Sequence, residues 1–173
     1  MASAEKSRYK RAMVIVVMGV AGSGKTTIGE LLAQRLGWRF HDADDLHSLT
    51  NRDMMRRGIA LTDRERRPWL AAVRGLIAEY AAKRADAVIA CSALKQVYRE
   101  AIITDPEVVR LVYLKGTYDL IAARLARRQA HFFDPHLLRN QFETLEEPTD
   151  AVVEDVARDP SAIIDSIVAH LAR

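Results

Sequence analysis

The sequence predicts an α/β fold of three layers, a parallel sheet of about five strands with helices on both faces. Three observations predict it. Short apolar and β-branched runs, beginning with Met13-Val-Ile-Val-Val-Met18, lack polar alternation, as strands buried on both faces do. Longer stretches with apolar residues at helical spacing separate those runs. The 173 residues are 49% apolar and 28% charged, which suits one domain with a sizeable core and excludes a disordered chain.

The elements follow in order. After the strand at 13–18, a helix is expected over 25–36, with Ile28, Leu31, Leu32 and Leu36 on one face and Gly37 ending it. A short second strand fits 38–42, and a mostly charged helical stretch comes next. Thr62 and Glu65 have capping-box spacing and start a helix running to about residue 84, with Pro68 tolerated near its first turn. Third and fourth strands fit 87–91 and 108–114, and helices fit 95–104 and 118 to about 128. A fifth strand at 151–156 carries Glu154 and Asp155, which suggest an edge position. Asp159-Pro160-Ser161 reads as a cap followed by an N1 proline, opening a last amphipathic helix that ends at Leu171. In such a sheet, ligands bind outside the carboxyl ends of the strands.

Twenty-six Lys and Arg against 23 Asp and Glu leave a net charge of +3, suited to anionic small molecules and too weak for nucleic acid. Lys6, Arg8, Lys10 and Arg11 form a basic arm within residues 1–12, ahead of a single domain over 13–173. A lone cysteine, Cys91, excludes an internal disulfide and points to a reducing compartment. The basic head and the apolar residues after it imitate a secretory signal, but the run flows straight into a glycine-rich loop. No apolar run reaches the ~18–20 residues of a bilayer span. A cytoplasmic protein without membrane or nucleic-acid partners is the expectation.

Gly19-Val20-Ala21-Gly22-Ser23-Gly24-Lys25-Thr26, followed by Thr27, fits the GxxxxGK[ST] phosphate loop without mismatch, between an expected strand and an expected helix. Glycines let consecutive N–H groups turn toward one centre, and the helix adds its positive dipole end. Lys25 supplies a cation at the β/γ-phosphates and Thr26 a hydroxyl for Mg²⁺. ATP is the expected nucleotide. No guanine-reading NKxD segment exists, and the strand at 87–91 ends in Cys91-Ser92 where a mechanical ATPase would carry acidic residues. A small-molecule kinase remains.

Beyond the phosphate loop the chain carries Asp44-x-x-His47-x-x-x-Asn51, Met55-x-x-Gly58 and Leu61-x-Asp63-x-x-Arg66-x-Pro68-Trp69-Leu70. Later come Cys91-Ser-Ala-Leu-Lys95-x-x-Tyr98-Arg99, Tyr113-Leu-Lys-Gly116, His131-Phe132 and Gln141-Phe-x-x-Leu145-Glu146-x-Pro148. With this set in this order, the chain resembles the gluconate kinase (gluconokinase) family of P-loop phosphotransferases from Val14 to about Pro148. The resemblance implies a nucleoside-monophosphate-kinase-like fold with a mobile lid, often a homodimer. It also implies ATP-dependent phosphorylation of D-gluconate to 6-phosphogluconate, feeding the pentose phosphate or Entner–Doudoroff routes. Departures from the family pattern occur at Ser48, Met54, Ala60, Thr62 and Asn140, several in the acceptor-binding segment at about 44–70. A shikimate-type kinase for another hydroxy acid, and a nucleotide-binding regulator without catalysis, are the competing readings.

Roles follow for named residues. Asp42 and Asp44 end the second strand, and alternation puts both on one side; in the related kinases a carboxylate here faces the acceptor hydroxyl. Asp44 is therefore the candidate base, with Asp42 helping to hold Mg²⁺ through water and Asp45 a cap. His47, neutral or cationic, can donate to gluconate oxygens. The gluconate carboxylate needs fixed cations, and Arg66, Lys95 and Arg99 are the candidates. Arg124, Arg127 and Arg128 lead into a lid at about 128–140. Arg128 matches the family's lid arginine and should reach the phosphates on closure, Arg124 should lie against the adenine, and Arg127 should be solvated.

Overall fold

β1 (Val14–Met18) occupies the centre of a five-stranded sheet, and all five of its residues are buried. The computed structural model describes residues 11–128 and 134–172. In chain order β1 is followed by α1 (Lys25–Leu36), β2 (Arg39–Asp42), a 3-10 turn (Ala43–Leu46), α2 (Leu49–Arg56) and α3 (Asp63–Lys83). Then come β3 (Ala87–Ala90), α4 (Gln96–Ile102), β4 (Val109–Lys115), α5 (Tyr118–Arg127), α6 (Pro135–Thr144), β5 (Val152–Asp155) and α7 (Pro160–Leu171). The strand order is β2-β3-β1-β4-β5, every pair parallel.

The unbroken apolar run of β1 is explained by its two covered faces. Val14, Val16 and Met18 pack with Trp69, Val73 and Ile77 of α3 and Ile102 of α4. Ile15 and Val17 pack with Ile28 and Leu32 of α1 and Ile163 and Ile167 of α7. Burial of each such side chain stabilises the fold by about 1.5–3 kcal/mol. Leu31, expected on the buried face of α1, is 40% exposed instead. The stripe through Ile28, Leu32, Ala33 and Leu36 meets the sheet, and Leu31 lies around the helix from it.

The end signals behave as the sequence predicts, with adjustments. Gly37 closes α1 in the left-handed conformation, at φ 70°. At the start of α3, Thr62 N–H donates to Glu65 Oε2 at 2.7 Å and Glu65 N–H donates back to Thr62 Oγ1 at 3.4 Å. Pro68 sits beyond the first turn of α3, so its missing donor would have served the exposed Arg64. β5 lies at the sheet edge, yet its Glu154 is 1% exposed and paired with Arg158 at 2.8 Å. Residues 135–144, of which 135–140 fall in the expected lid, form helix α6, capped by Asp134, whose Oδ1 accepts from His136 N–H at 2.9 Å. The rest of the basic arm (1–10) and lid residues 129–133, including His131 and Phe132, lie outside the described residues. No described helix is long and apolar enough to cross a membrane.

Candidate active site

The phosphate loop links β1 to α1 and separates two cavities at the carboxyl edge of the sheet. Gly22 and Gly24 hold φ 77° and 96°, a region that side chains disfavour. A Cβ on Gly22 would also sit 2.7 Å from Leu125 of α5. The larger cavity, about 360 Å³, is lined by Lys25, Thr26, Asp42, Asp44, His47 and Arg66 among others. The smaller, about 180 Å³, lies beside Ser23, Gly24, Thr27, Arg124, Arg128 and Arg158. Gly22 lines both.

Lys25 Nζ donates to its own loop, to Val20 O at 3.0 Å, and burial pushes its pKa down against the opposing pull of Asp44, Cys91 and Asp42. Thr26 Oγ1 donates to Asp42 Oδ2 at 3.2 Å, and Asp42 Oδ1 accepts from Asp44 N–H at 3.0 Å. Asp42 thus caps the 3-10 turn that begins at Ala43. Strand alternation ends there, so it cannot bring Asp42 and Asp44 together; the turn does. Burial, then the Asp42 charge, raise the Asp44 pKa, while Lys25 lowers it. Asp45, expected as a cap, instead pairs with Arg52 at 3.7 Å.

His47 is 6% exposed and stacks on Trp69 with centroids 4.4 Å apart and planes at 11°. Trp69 Nε1 in turn donates to Ala43 O at 2.7 Å, tying α3 beneath the turn that carries both aspartates. Burial first, then Arg66 and Arg52, push the His47 pKa down to about 4, so the ring is neutral near pH 7. That removes the cationic option. Its buried Nδ1 has no partner among the described residues.

The three candidate cations have different fates. Arg66 is half-buried and lines the larger cavity; its Nε donates to Leu61 O at 3.3 Å and its guanidinium lies 5.5 Å from the Tyr98 ring centroid. No described carboxylate pairs with it. Lys95 lies off that cavity, with its ammonium on Asp63 at 3.0 and 3.3 Å. Asp63 also accepts from the Tyr98 hydroxyl. Lys95 and Tyr98 therefore hold the start of α3, one turn before Arg66. Arg99 is 6% exposed, and its Nη1 donates to Ala93 O at 2.9 Å and Leu94 O at 3.0 Å. It braces the loop after β3, in which Ala93 takes a left-handed φ of 42°. Neither Lys95 nor Arg99 lines the cavity as sequence reasoning expected.

On the other side, Arg124 donates to Val156 O, and Arg128 is exposed at the end of α5. Sequence reasoning missed Val156, Arg158 and Pro160, which complete this second cavity. It also missed Gln141, whose Oε1 accepts from Ala21 N–H at 2.6 Å while the residue lines the larger cavity. Two departures from the family pattern, Ala60 and Asn140, line the larger cavity as well. Ser48, a third, caps α2 by accepting from Asn51 N–H at 3.1 Å.

A hydroxyl and a carboxylate, Thr26 and Asp42, are hard oxygen donors suited to Mg²⁺, which keeps most of its coordination for water and phosphate. With Lys25 and Asp44 lining the same cavity, the arrangement can bind a triphosphate and set a carboxylate base beside it.

The family model described as shikimate kinase matches residues 21–172. A probable gluconokinase from Mus musculus is 42% identical over 153 residues, covering 79% of this chain and 83% of that one. The crystal structure of a gluconokinase from Sinorhizobium meliloti 1021 superposes with a TM-score of 0.83 at 41% identity, over 93% of this chain and 92% of that one. Shikimate kinase from Aquifex aeolicus superposes with a TM-score of 0.56 at 16% identity, covering 92% and 96% of the two chains. That last likeness is one of fold, while the first two extend to sequence.

Proposed function

The chain belongs to the gluconokinase family of P-loop kinases, and from that premise we propose that it transfers the γ-phosphoryl group of ATP to D-gluconate. The observation that carries the acceptor assignment is Arg66, a half-buried guanidinium without an acidic partner among the described residues, in the cavity that holds Asp44 and Lys25. A sugar acid supplies the missing carboxylate. Asp44 accepts the proton of the 6-hydroxyl as its oxygen attacks the γ-phosphorus and the bond to the β-phosphate oxygen breaks. Products are 6-phosphogluconate and ADP. The raised Asp44 pKa makes it a better proton acceptor than an ordinary carboxylate.

Lys25 neutralises charge at the β/γ-phosphates, and the loop amides from Gly19 to Thr27, other than the Ala21 amide taken by Gln141, cradle them. Thr26 and Asp42 would hold Mg²⁺, which would offset the charge of the phosphates. Neutral His47 donates to or accepts from gluconate hydroxyls. Arg124 and Arg128 face the nucleotide, with Arg128 reaching toward its phosphates. Lys95 and Arg99 act indirectly, by holding α3 and the loop after β3. Residues 13–173 work as one cytoplasmic catalytic unit, as a homodimer.

An ADP-release assay with gluconate, shikimate and glucose tests the reading. The expected outcome is a kcat/KM for gluconate about 10²-fold or more above the others, since glucose leaves Arg66 unpaired. Shikimate turnover equal to that of gluconate would overturn the assignment.

A further inference from the structure

Gln141 lies on α6, an element that none of the proposed roles yet uses. Its Oε1 accepts from Ala21 N–H at 2.6 Å, and Ala21 lines the larger cavity, whereas Ser23 and Gly24 line the smaller one. The amide orientation is chemically fixed, because reversing it would set N–H against N–H. Its Nε2 has no protein partner among the described residues, and the side chain lines the cavity beside Asp44 and Lys25. The end of the same segment is also tied down. Glu146 N–H donates to Leu94 O at 2.9 Å, and Glu146 Oε2 accepts from Gln96 N–H at 2.6 Å. The Gln141 amide is therefore held before any ligand arrives.

We infer that Gln141 positions the acceptor: anchored at Oε1 by the Ala21 amide, it donates from Nε2 to a hydroxyl oxygen of the sugar acid. The loop that grips the triphosphate then also fixes the hydroxyl chain, so the reacting oxygen and the γ-phosphorus share one frame. Specificity follows as well. A site that donates to a hydroxyl discriminates against analogues lacking it, because a desolvated donor is left unpaired. This inference rests on the sugar-acid reading.

Two substitutions separate anchor from donor. Gln141→Met keeps the shape and removes both hydrogen bonds, while Gln141→Glu keeps an acceptor for Ala21 and removes the donor. In both variants the KM for gluconate should rise by about fivefold to 100-fold, the range for an unpaired neutral donor. The dissociation constant for ADP, measured by calorimetry, should stay within about threefold of wild type, and thermal melting should show that each variant folds. Deoxygluconates supply the substrate side. The analogue lacking the hydroxyl partner should be a poor wild-type substrate and lose nothing further in Gln141→Met. Recovery of gluconate KM in Gln141→Glu would make the anchor alone responsible and overturn the donor role. Equal weakening of ADP and gluconate would reduce Gln141 to a support for the phosphate loop. Failure of wild type to use gluconate would instead defeat the sugar-acid reading, and the same variants would then be compared on the acid it does phosphorylate.

Discussion

The phosphate loop and the acceptor cavity meet at Gly22, yet they are built in opposite ways. The loop is local. One strand, one turn and one helix place Gly19 to Thr27, and the binding groups are largely backbone amides. The acceptor cavity is assembled at long range. Asp44 comes from a 3-10 turn, Arg66 from α3 and Gln141 from α6, and contacts such as Trp69 to Ala43 hold these pieces together. A nucleotide grip can thus be shared among many kinases, while the acceptor is chosen by side chains whose placement depends on the whole fold.

Substitutions test how sharply the two regions divide the work. The largest effect is expected from Lys25→Ala, which removes the cation at the β/γ-phosphates and should lower kcat by about 10³-fold or more. Turnover within tenfold of wild type would contradict the phosphate role. Asp44→Asn should lower kcat by about 10²–10⁴-fold while ATP affinity, measured by calorimetry, changes little. Loss of ATP binding in that variant would mean that the two regions are not separable. Arg66→Ala leaves the acceptor carboxylate unpaired and should raise the gluconate KM by about 30-fold or more, with the KM for ATP nearly constant. Lys95→Ala, which frees Asp63 rather than a ligand, should move it by about threefold or less. A Lys95 effect as large as that of Arg66 would return Lys95 to the carboxylate site.

The smallest effect is on stability. His47 is neutral in the fold with a pKa of about 4, and an unfolded histidine titrates at about 6.5. Between those values the unfolded chain binds the extra proton. Stability is therefore full above about pH 6.5 and falls as pH drops toward 4, by on the order of 1–3 kcal/mol from this group. Urea titrations at several pH values should show a flatter acid limb in His47→Gln. An identical slope would mean that the Trp69 stack admits the charged ring.

The same contrast explains what the sequence made legible. Strand β1, the loop glycines, α1 and the Thr62–Glu65 cap are set by neighbours in the chain, and the structure has them where the sequence puts them. Asp134-Pro135 carries the same cap-and-proline signal as Asp159-Pro160, yet a lid reading obscured α6; the signal was present. Arg66, Lys95 and Arg99 were indistinguishable as cations. Only packing shows that Asp63 takes the second and two loop carbonyls take the third. Gln141 stood in the sequence as part of the family pattern with no role attached, because its partner Ala21 is brought to it by the fold.

A glycine shared by the two cavities has a consequence for inhibition. Because Gly22 borders both spaces, a molecule joining a nucleoside to a sugar acid through a short phosphate chain can address both from one point of the loop. Binding of one half presents the other at millimolar effective concentration, so the tethered compound can exceed either half by about 10²–10⁴-fold without any new contact. The linker sets the outcome. Too few phosphates cannot span the Gly22 divide, and each one beyond the match dilutes the second head.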